Sequence, residues 1–169
     1  NTVGVYEKCY GIELETLLDL HSQIDCKIDE VEAEISQIVK ELNPPTLSVK
    51  GIGEFSAAVI ISEFGDFSRF DNPGQMLSFA GLEPGYFKSG TSEHYGHMVK
   101  RGSPYLRNAL LNCCRPLRLH NETFAVYYRK KISEGKHESV ALSHMAKKLV
   151  RLIFTLETKG ITFDPEKLR

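Results

Sequence analysis

Apolar residues recur along the first quarter of the chain at alternating spacings of three and four. Leu14, Leu17, His21, Ile24, Ile28, Val31, Ile35, Ile38 and Leu42 occupy four heptads of a and d positions. That spacing lines one face of a helix and packs it against another helix. The pattern predicts one long helix over residues 13–43, forming a coiled coil either between chains or as a hairpin with a segment outside this chain. His21 is the polar exception in the seam, a device that fixes register or partner number. Glu13, Asp19, Glu30, Glu32 and Glu34 keep the flanks soluble and make the helix a poor DNA binder. Asn43-Pro44-Pro45 ends the pattern, because proline cannot continue a helix. The division expected is residues 1–45 as coiled-coil or oligomerisation helix, 46–160 as a second domain and 161–169 as a tail.

The second domain reads as a series of shorter helices. Leu47-Ser48-Val49-Lys50-Gly51-Ile52-Gly53 leads into Ala57 to Ile61 at helical density. A Gly-apolar-Gly turn opening a helix, with small alanines one turn later, is similar to a helix-hairpin-helix motif. Its two glycines permit a tight turn, and amides at the following helix N-terminus can hold a phosphate oxygen. Gly51 and Gly53 are therefore candidate phosphate contacts, with Lys50 beside them. Asp71 or Asn72 with Pro73 opens a helix through Met76, Leu77 and Phe79 to Gly81, and Ser103-Pro104 opens another through Leu106, Leu110 and Cys113. Asn121 starts a third, stopped near Gly135. Ser139 to Lys159 is amphipathic, with Leu142, Met145, Leu149 and Ile153 inside, Lys147, Lys148 and Arg151 outside, and Gly160 at its end. No segment alternates convincingly as a strand. The fold class expected is mainly α: a long N-terminal coiled-coil helix followed by a small helical domain containing the helix-hairpin-helix-like motif.

Between these helical patterns lies Gly81 to Arg107, with five glycines and many basic and histidine residues. It reads as a Gly-rich basic loop, partly unordered without its ligand, where backbone amides and cations meet phosphate. Charge strengthens that reading. The net charge of -1 over 169 residues conceals a polarity. Residues 1–46 hold ten acids and three bases, whereas residues 86–151 hold thirteen Lys/Arg and four acids. Such a basic half points to a polyanionic partner, DNA above all. His94 and His97 form an HxxH, but no Cys or carboxylate pair completes a zinc site nearby, so they read as phosphate-facing or solvent groups and no metal site is expected. Four cysteines without CxxC spacing suit a reducing cytoplasm. No apolar run approaches a membrane span, and no signal peptide is visible. A first residue of Asn rather than Met suggests a piece of something longer.

The order of coiled coil, LSVKGIG, FxNPGQMLSFAGLEP, KSG and VKRGSPYLRNAL resembles the C-terminal part of insertion-sequence transposases of the Piv/MooV type, also called the insertion-sequence 110/116/902 family. The resemblance covers about residues 13–158. Its most specific segments are Gly81-Leu82-Glu83-Pro84, Ser89-Gly90, and Lys100-Arg101-Gly102 followed by Leu106-Arg107. It implies a transposase domain that supplies a serine nucleophile, linked covalently to DNA, and a preceding RuvC-like domain whose four carboxylates hold Mg²⁺. Chosen DNA sites would be selected through a structured non-coding guide RNA. The position matching the family's serine is Ser89, before Gly90. The family often has serine on both sides of that slot; here Lys88 precedes it and Thr91-Ser92 follow, which keeps Ser92 as a second candidate. A serine hydroxyl needs activation by a base or metal-bound oxygen, and the phosphoryl group needs cations to absorb developing charge. Lys88, Lys100, Arg101 and Arg107 suit that electrostatic role. No acidic cluster of the two-metal kind is visible, so the metal carboxylates are expected on the domain outside this chain. The other reading is a non-catalytic helix-hairpin-helix module for DNA binding, assembled into a homo-oligomer by the coiled coil 13–43.

Overall fold

A computed structural model describes residues 8–89 and 92–168, with the side chains of 8, 9, 84, 86–89, 92–97, 167 and 168 outside the description. Among the described residues the chain forms six α-helices and two strands. In order they are α1 (Lys8–Leu42), α2 (Glu54–Phe64), α3 (Pro73–Phe79), β1 (Pro84–Ser89), β2 (Ser92–Met98), α4 (Pro104–His120), α5 (Glu122–Ser133) and α6 (Glu138–Lys159). The fold is mainly α, as the periodicities predict, with the long N-terminal helix in place. Among the described residues no helix is long and apolar enough to cross a membrane.

The helix boundaries follow the local chemistry. Asn72 accepts a hydrogen bond from the Gln75 amide at 3.2 Å, with Pro73 in the first turn of α3. Ser103 accepts from the Leu106 amide at 3.1 Å, ahead of Pro104 in α4. These side chains satisfy amides that have no partner within the helix. Gly160 closes α6 in the left-handed conformation, at φ 60°.

The core lies where α4 is packed between α2 and α6, with α5 and α3 against α6. Ile60 and Phe64 of α2, Leu106, Leu110 and Leu117 of α4, and Met145, Leu149 and Ile153 of α6 are wholly buried. Four phenylalanines extend this core at one end: Phe64 meets Phe67, Phe70 and Phe79 with ring centroids 5.7–6.0 Å apart. The Arg69 guanidinium lies 4.7 Å from the ring centres of both Phe70 and Phe79. Cys113 and Cys114 are buried in α4, and burial pushes both thiols up from the ordinary range.

Helix α1 is different. Residues 12–34 are exposed throughout, including Leu14, Leu17, Ile24, Ile28 and Val31. Only its last turns engage the body, where Val39 is 3% exposed and Ile35 packs on the core. The chain then turns through a 3-10 segment, Pro45–Ser48, that is fastened to α6. The Thr46 amide and hydroxyl both donate to Oε1 of Glu157, at 2.8 and 2.5 Å.

One expectation needs correction. The segment read as strandless contains an antiparallel pair, β1 with β2, in which Tyr86 opposes Tyr95, Phe87 opposes His94, Lys88 opposes Glu93 and Ser89 opposes Ser92. Regular alternation is broken by a register shift between Pro84 and Tyr86, and a shift of one residue moves side chains to the other face. The apolar-polar period that would betray a strand is therefore absent. Aromatic cross-strand pairs suit a sheet even so.

Thr46 is fully buried and its hydroxyl donates to a carboxylate. Thr46→Val keeps the shape and removes that donor, so it should lower stability by about 1.5–3 kcal/mol. The urea midpoint of unfolding measures this directly.

Candidate functional site

The hairpin that carries Ser89 stands on a place where two backbone segments cross. After α3 the chain turns at Gly81, at φ 65°, and before α4 it turns again at Gly102, at φ 110°. A Cβ on Gly81 would lie 2.1 Å from the Arg101 carbonyl oxygen. One on Gly102 would lie 2.0 Å from the Phe79 carbonyl oxygen. Both positions thus demand glycine twice over, for the left-handed backbone and for contact with an unyielding neighbour. The Leu82 amide donates to the Leu77 carbonyl at 3.0 Å, and its side chain is fully buried beneath the crossing. The Val99 amide donates to the Glu83 carbonyl at 3.0 Å and closes the hairpin base.

This base gathers three of the sequence-predicted cations. Lys100 and Arg101 are exposed, and Arg107 is half-buried. Nη1 of Arg107 donates to the Lys100 carbonyl at 3.3 Å. Lys100 has φ 54°, a left-handed conformation that a residue with a Cβ adopts at a cost. The base therefore holds a compact basic corner beside the N-terminus of α4.

Ser89 lies at the opposite end. It is the last residue of β1 and its Cα partner is Ser92, so the two hydroxyl-bearing candidates face each other in register. Gly90 and Thr91 between them lie outside the described residues, as do the side chains of Lys88, Ser89, Ser92, His94 and His97. Five residue steps separate Pro84 from Ser89, about 16 Å at the usual rise of a strand. The fold therefore does not bring Lys100, Arg101 and Arg107 up to Ser89 of the same chain. Lys88, next to Ser89 and opposite Glu93, is the nearest cation by register.

The Gly51 turn forms a separate locus. Gly51 has φ 110°, and a Cβ there would lie 3.2 Å from the Cα and amide nitrogen of Leu117. Packing of this turn on α4 accounts for its glycine. Gly53 is exposed, precedes α2 and has open space around it, and Lys50 is exposed. The first turn of α2 already carries an anion of its own: Glu54 accepts from the Ser36 hydroxyl and pairs with Lys40 at 3.2 Å. These partners, Ser36 foremost, hold the Glu54 carboxyl below its usual range.

Among the described residues no group of three or more His, Cys, Asp or Glu is placed to hold a metal ion. The arrangement offers instead a serine at a strand end, a fixed pedestal beneath it and cations at the pedestal. Sequence reasoning missed the hairpin, although Gly90-Thr91 between serines, flanked by aromatic-rich runs, has the length of a two-residue hairpin turn. It also missed the pairing of Gly81 with Gly102, for which a single sequence holds no signal.

The segment that contains this crossing, the hairpin and the Gly51 turn is a transposase domain. Residues 46–129 match the Transposase IS116/IS110/IS902 family, and through them the chain belongs to that family. It is 27% identical over 136 residues to the uncharacterized 43.6 kDa protein of insertion element IS110 from Streptomyces coelicolor, covering 79% of this chain and 34% of the relative. It is 26% identical over 162 residues to the transposase for insertion sequence element IS1328 of Yersinia enterocolitica, covering 92% of this chain and 48% of the relative. The transposase for insertion sequence element IS1111A of Coxiella burnetii is 28% identical over 144 residues, 82% of this chain and 40% of the relative. The chain thus spans a third to a half of the length of these curated relatives.

Replacing Gly102 by alanine forces a Cβ onto the Phe79 carbonyl in a left-handed conformation. Gly102→Ala should lower stability by roughly 2–5 kcal/mol through strain and overpacking together. Gly135→Ala, also at positive φ but in open space, should cost only about 1 kcal/mol. Thermal unfolding of the two variants side by side tests the difference.

Proposed function

We propose that this chain is the DNA-binding, serine-bearing part of an insertion-sequence transposase, with Ser89 as the nucleophile. The observation that carries the reading is the position of Ser89 at the free end of β1, on a hairpin whose base is locked by the Gly81–Gly102 crossing. A nucleophile presented to a long, stiff substrate gains from a fixed pedestal, because misplacement by about 1 Å can cost 100-fold in rate. In the proposed step the Ser89 Oγ attacks a DNA phosphorus. One phosphorus–oxygen bond of the strand breaks, the departing nucleotide leaves as a hydroxyl carrying the serine proton, and a serine phosphodiester remains. Attack by another DNA hydroxyl reverses the exchange and frees the serine. One ester bond forms for each one broken, so rejoining needs no external energy source.

Lys88 is assigned to the attacked phosphoryl group. Given their distance along the hairpin, Lys100, Arg101 and Arg107 are assigned to flanking phosphates of the same DNA, with Lys50, Gly51, Gly53 and Gly90 as further backbone contacts. Mg²⁺ is assigned to a RuvC-like domain outside this chain, since the described residues offer it no cluster of ligands. A metal ion held there would supply activation of the attacking oxygen. The partners proposed are DNA, a structured non-coding guide RNA and further copies of the chain, in the cytoplasm. A non-catalytic DNA-binding module is the outcome if no covalent intermediate forms.

Assembly is assigned to α1. Most of the stability of a helix in a protein comes from packing of its apolar face, and the apolar seam of α1 is open to solvent from Leu14 to Val31. Ile24→Glu with Ile28→Glu places charge in that seam and should convert an oligomer to a monomer without lowering the helical signal of the body. Light scattering after size exclusion reads the mass.

For the serine, labelled element DNA is incubated with the full-length protein, Mg²⁺ and any associated RNA, then resolved on a denaturing gel. A protein–DNA adduct that disappears in Ser89→Ala and persists in Ser92→Ala is the expected outcome. Cleavage without an adduct in every variant rejects the covalent mechanism.

A further inference from the structure

Helix α6 lies beyond the matched segment 46–129 for its whole length. His144, Lys147, Lys148 and Arg151 recur along it at spacings of three and four, which places them on one side. Lys148 Nζ lies 4.9 Å from the ring centre of Tyr127 and 5.8 Å from that of Phe124, both on α5. Lys131, also on α5, lies 5.6 Å from the ring of Tyr127. Tyr127 is thereby flanked by two ammonium groups, and the basic face continues from α6 onto α5.

Compensation is sparse. Lys131 pairs with Glu134 at 2.8 Å. Among the described residues no ion pair involves Lys147, Lys148 or Arg151. Burial holds Lys147 below its ordinary range, with the Arg151 charge adding and Glu83 opposing. Burial also lowers Lys148, while burial and then Lys147, Lys131 and Lys136 lower His144 against Glu134. Lys147 and Lys148 are half-buried and Arg151 is exposed; cations crowded in this way, with no carboxylate in a direct ion pair, are stabilised by an external anion. A cleft of about 710 Å³ runs beside Lys148 and Arg151, bordered by Thr155, Gly160, Thr162 and Asp164.

We infer that the α5–α6 basic face is a seat for the sugar-phosphate backbone of duplex DNA, separate from the hairpin and the Gly51 turn. His144 to Arg151 spans about 10 Å at 1.5 Å per residue, so its charges reach more than one phosphate of a nucleic-acid backbone. A single phosphorylated small molecule would leave most of the face unused. An unpaired strand is disfavoured, because Phe124 is wholly buried and Tyr127 is already flanked by lysines, so neither ring is open for base stacking. Glu83 at the hairpin base acts electrostatically on Lys147, so this face lies beside the segment that carries the hairpin. The choice of DNA rests on the function proposed above.

The test uses the full-length protein and fluorescence anisotropy with labelled duplex DNA of random sequence, duplex RNA and single-stranded DNA, each over a series of salt concentrations. The variant Lys147→Gln/Lys148→Gln/Arg151→Gln should weaken duplex DNA binding on every sequence and reduce the slope of log affinity against log salt by about 3, near 1 per cation. The charge-preserving variant Lys147→Arg/Lys148→Arg/Arg151→Lys should retain the slope, which separates charge from packing. Wild-type binding with an unchanged slope in the glutamine variant overturns the seat and leaves the Ser89 reading standing. A slope change confined to duplex RNA or to single strands overturns the assignment to duplex DNA. No binding of DNA by the wild type overturns the function proposed above, and the seat with it. Ser89→Ala should leave the slope unaltered.

Discussion

Two carbonyl oxygens, those of Phe79 and Arg101, sit where a methyl group on the facing residue would have to go. That crossing of Gly81 and Gly102 fixes how the chain leaves α3, builds the β1–β2 hairpin and returns into α4. The ladder of the hairpin is short, and two-stranded ribbons are marginal alone. Its order at the base comes from the crossing, from the Val99–Glu83 hydrogen bond and from Leu82 buried underneath. The basic corner formed by Lys100, Arg101 and Arg107 is a by-product of the same geometry, since it lies on the strand of chain that completes the crossing. Stability of the core and placement of the candidate serine are thus joined through a few backbone atoms.

The acidic and basic halves of the sequence become two kinds of surface. Helix α1 is an apolar seam with acidic flanks, exposed over residues 12–34. The body carries its cations on the hairpin base and along α5 and α6. A polyanion would be repelled from the first and attracted to the second, so the assembly and DNA-binding roles proposed above would fall on separate surfaces.

Much of this was legible from residue order. The heptads of α1, the Asn72-Pro73 and Ser103-Pro104 helix starts and the Gly160 stop are local signals, and local chemistry decides them. The hairpin was not legible because strand pairing depends on residues across a turn, and the shift between Pro84 and Tyr86 breaks the period that a single strand would show. Glycine at 51 suggests an approach to phosphate, and the structure adds a packing reason against Leu117. Both uses require an absent side chain, and the sequence registers only the absence. For Ser89 the residue type alone says little; its position at the end of β1 is a property of the fold.

The continuity of α1 has a mechanical consequence. From Lys8 to Leu42 it runs 35 residues without interruption, about 50 Å at 1.5 Å per residue. Such a helix transmits rotation as well as distance: each residue turns the chain by about 100°. Anything held at the Lys8 end therefore has its orientation toward the body set by the number of residues in between. Removing one heptad would shorten the reach by about 10 Å yet nearly preserve the phase, whereas removing three or four residues would leave the reach closer to native and swing the seam relative to the body. The helix acts as a ruler and a protractor at once.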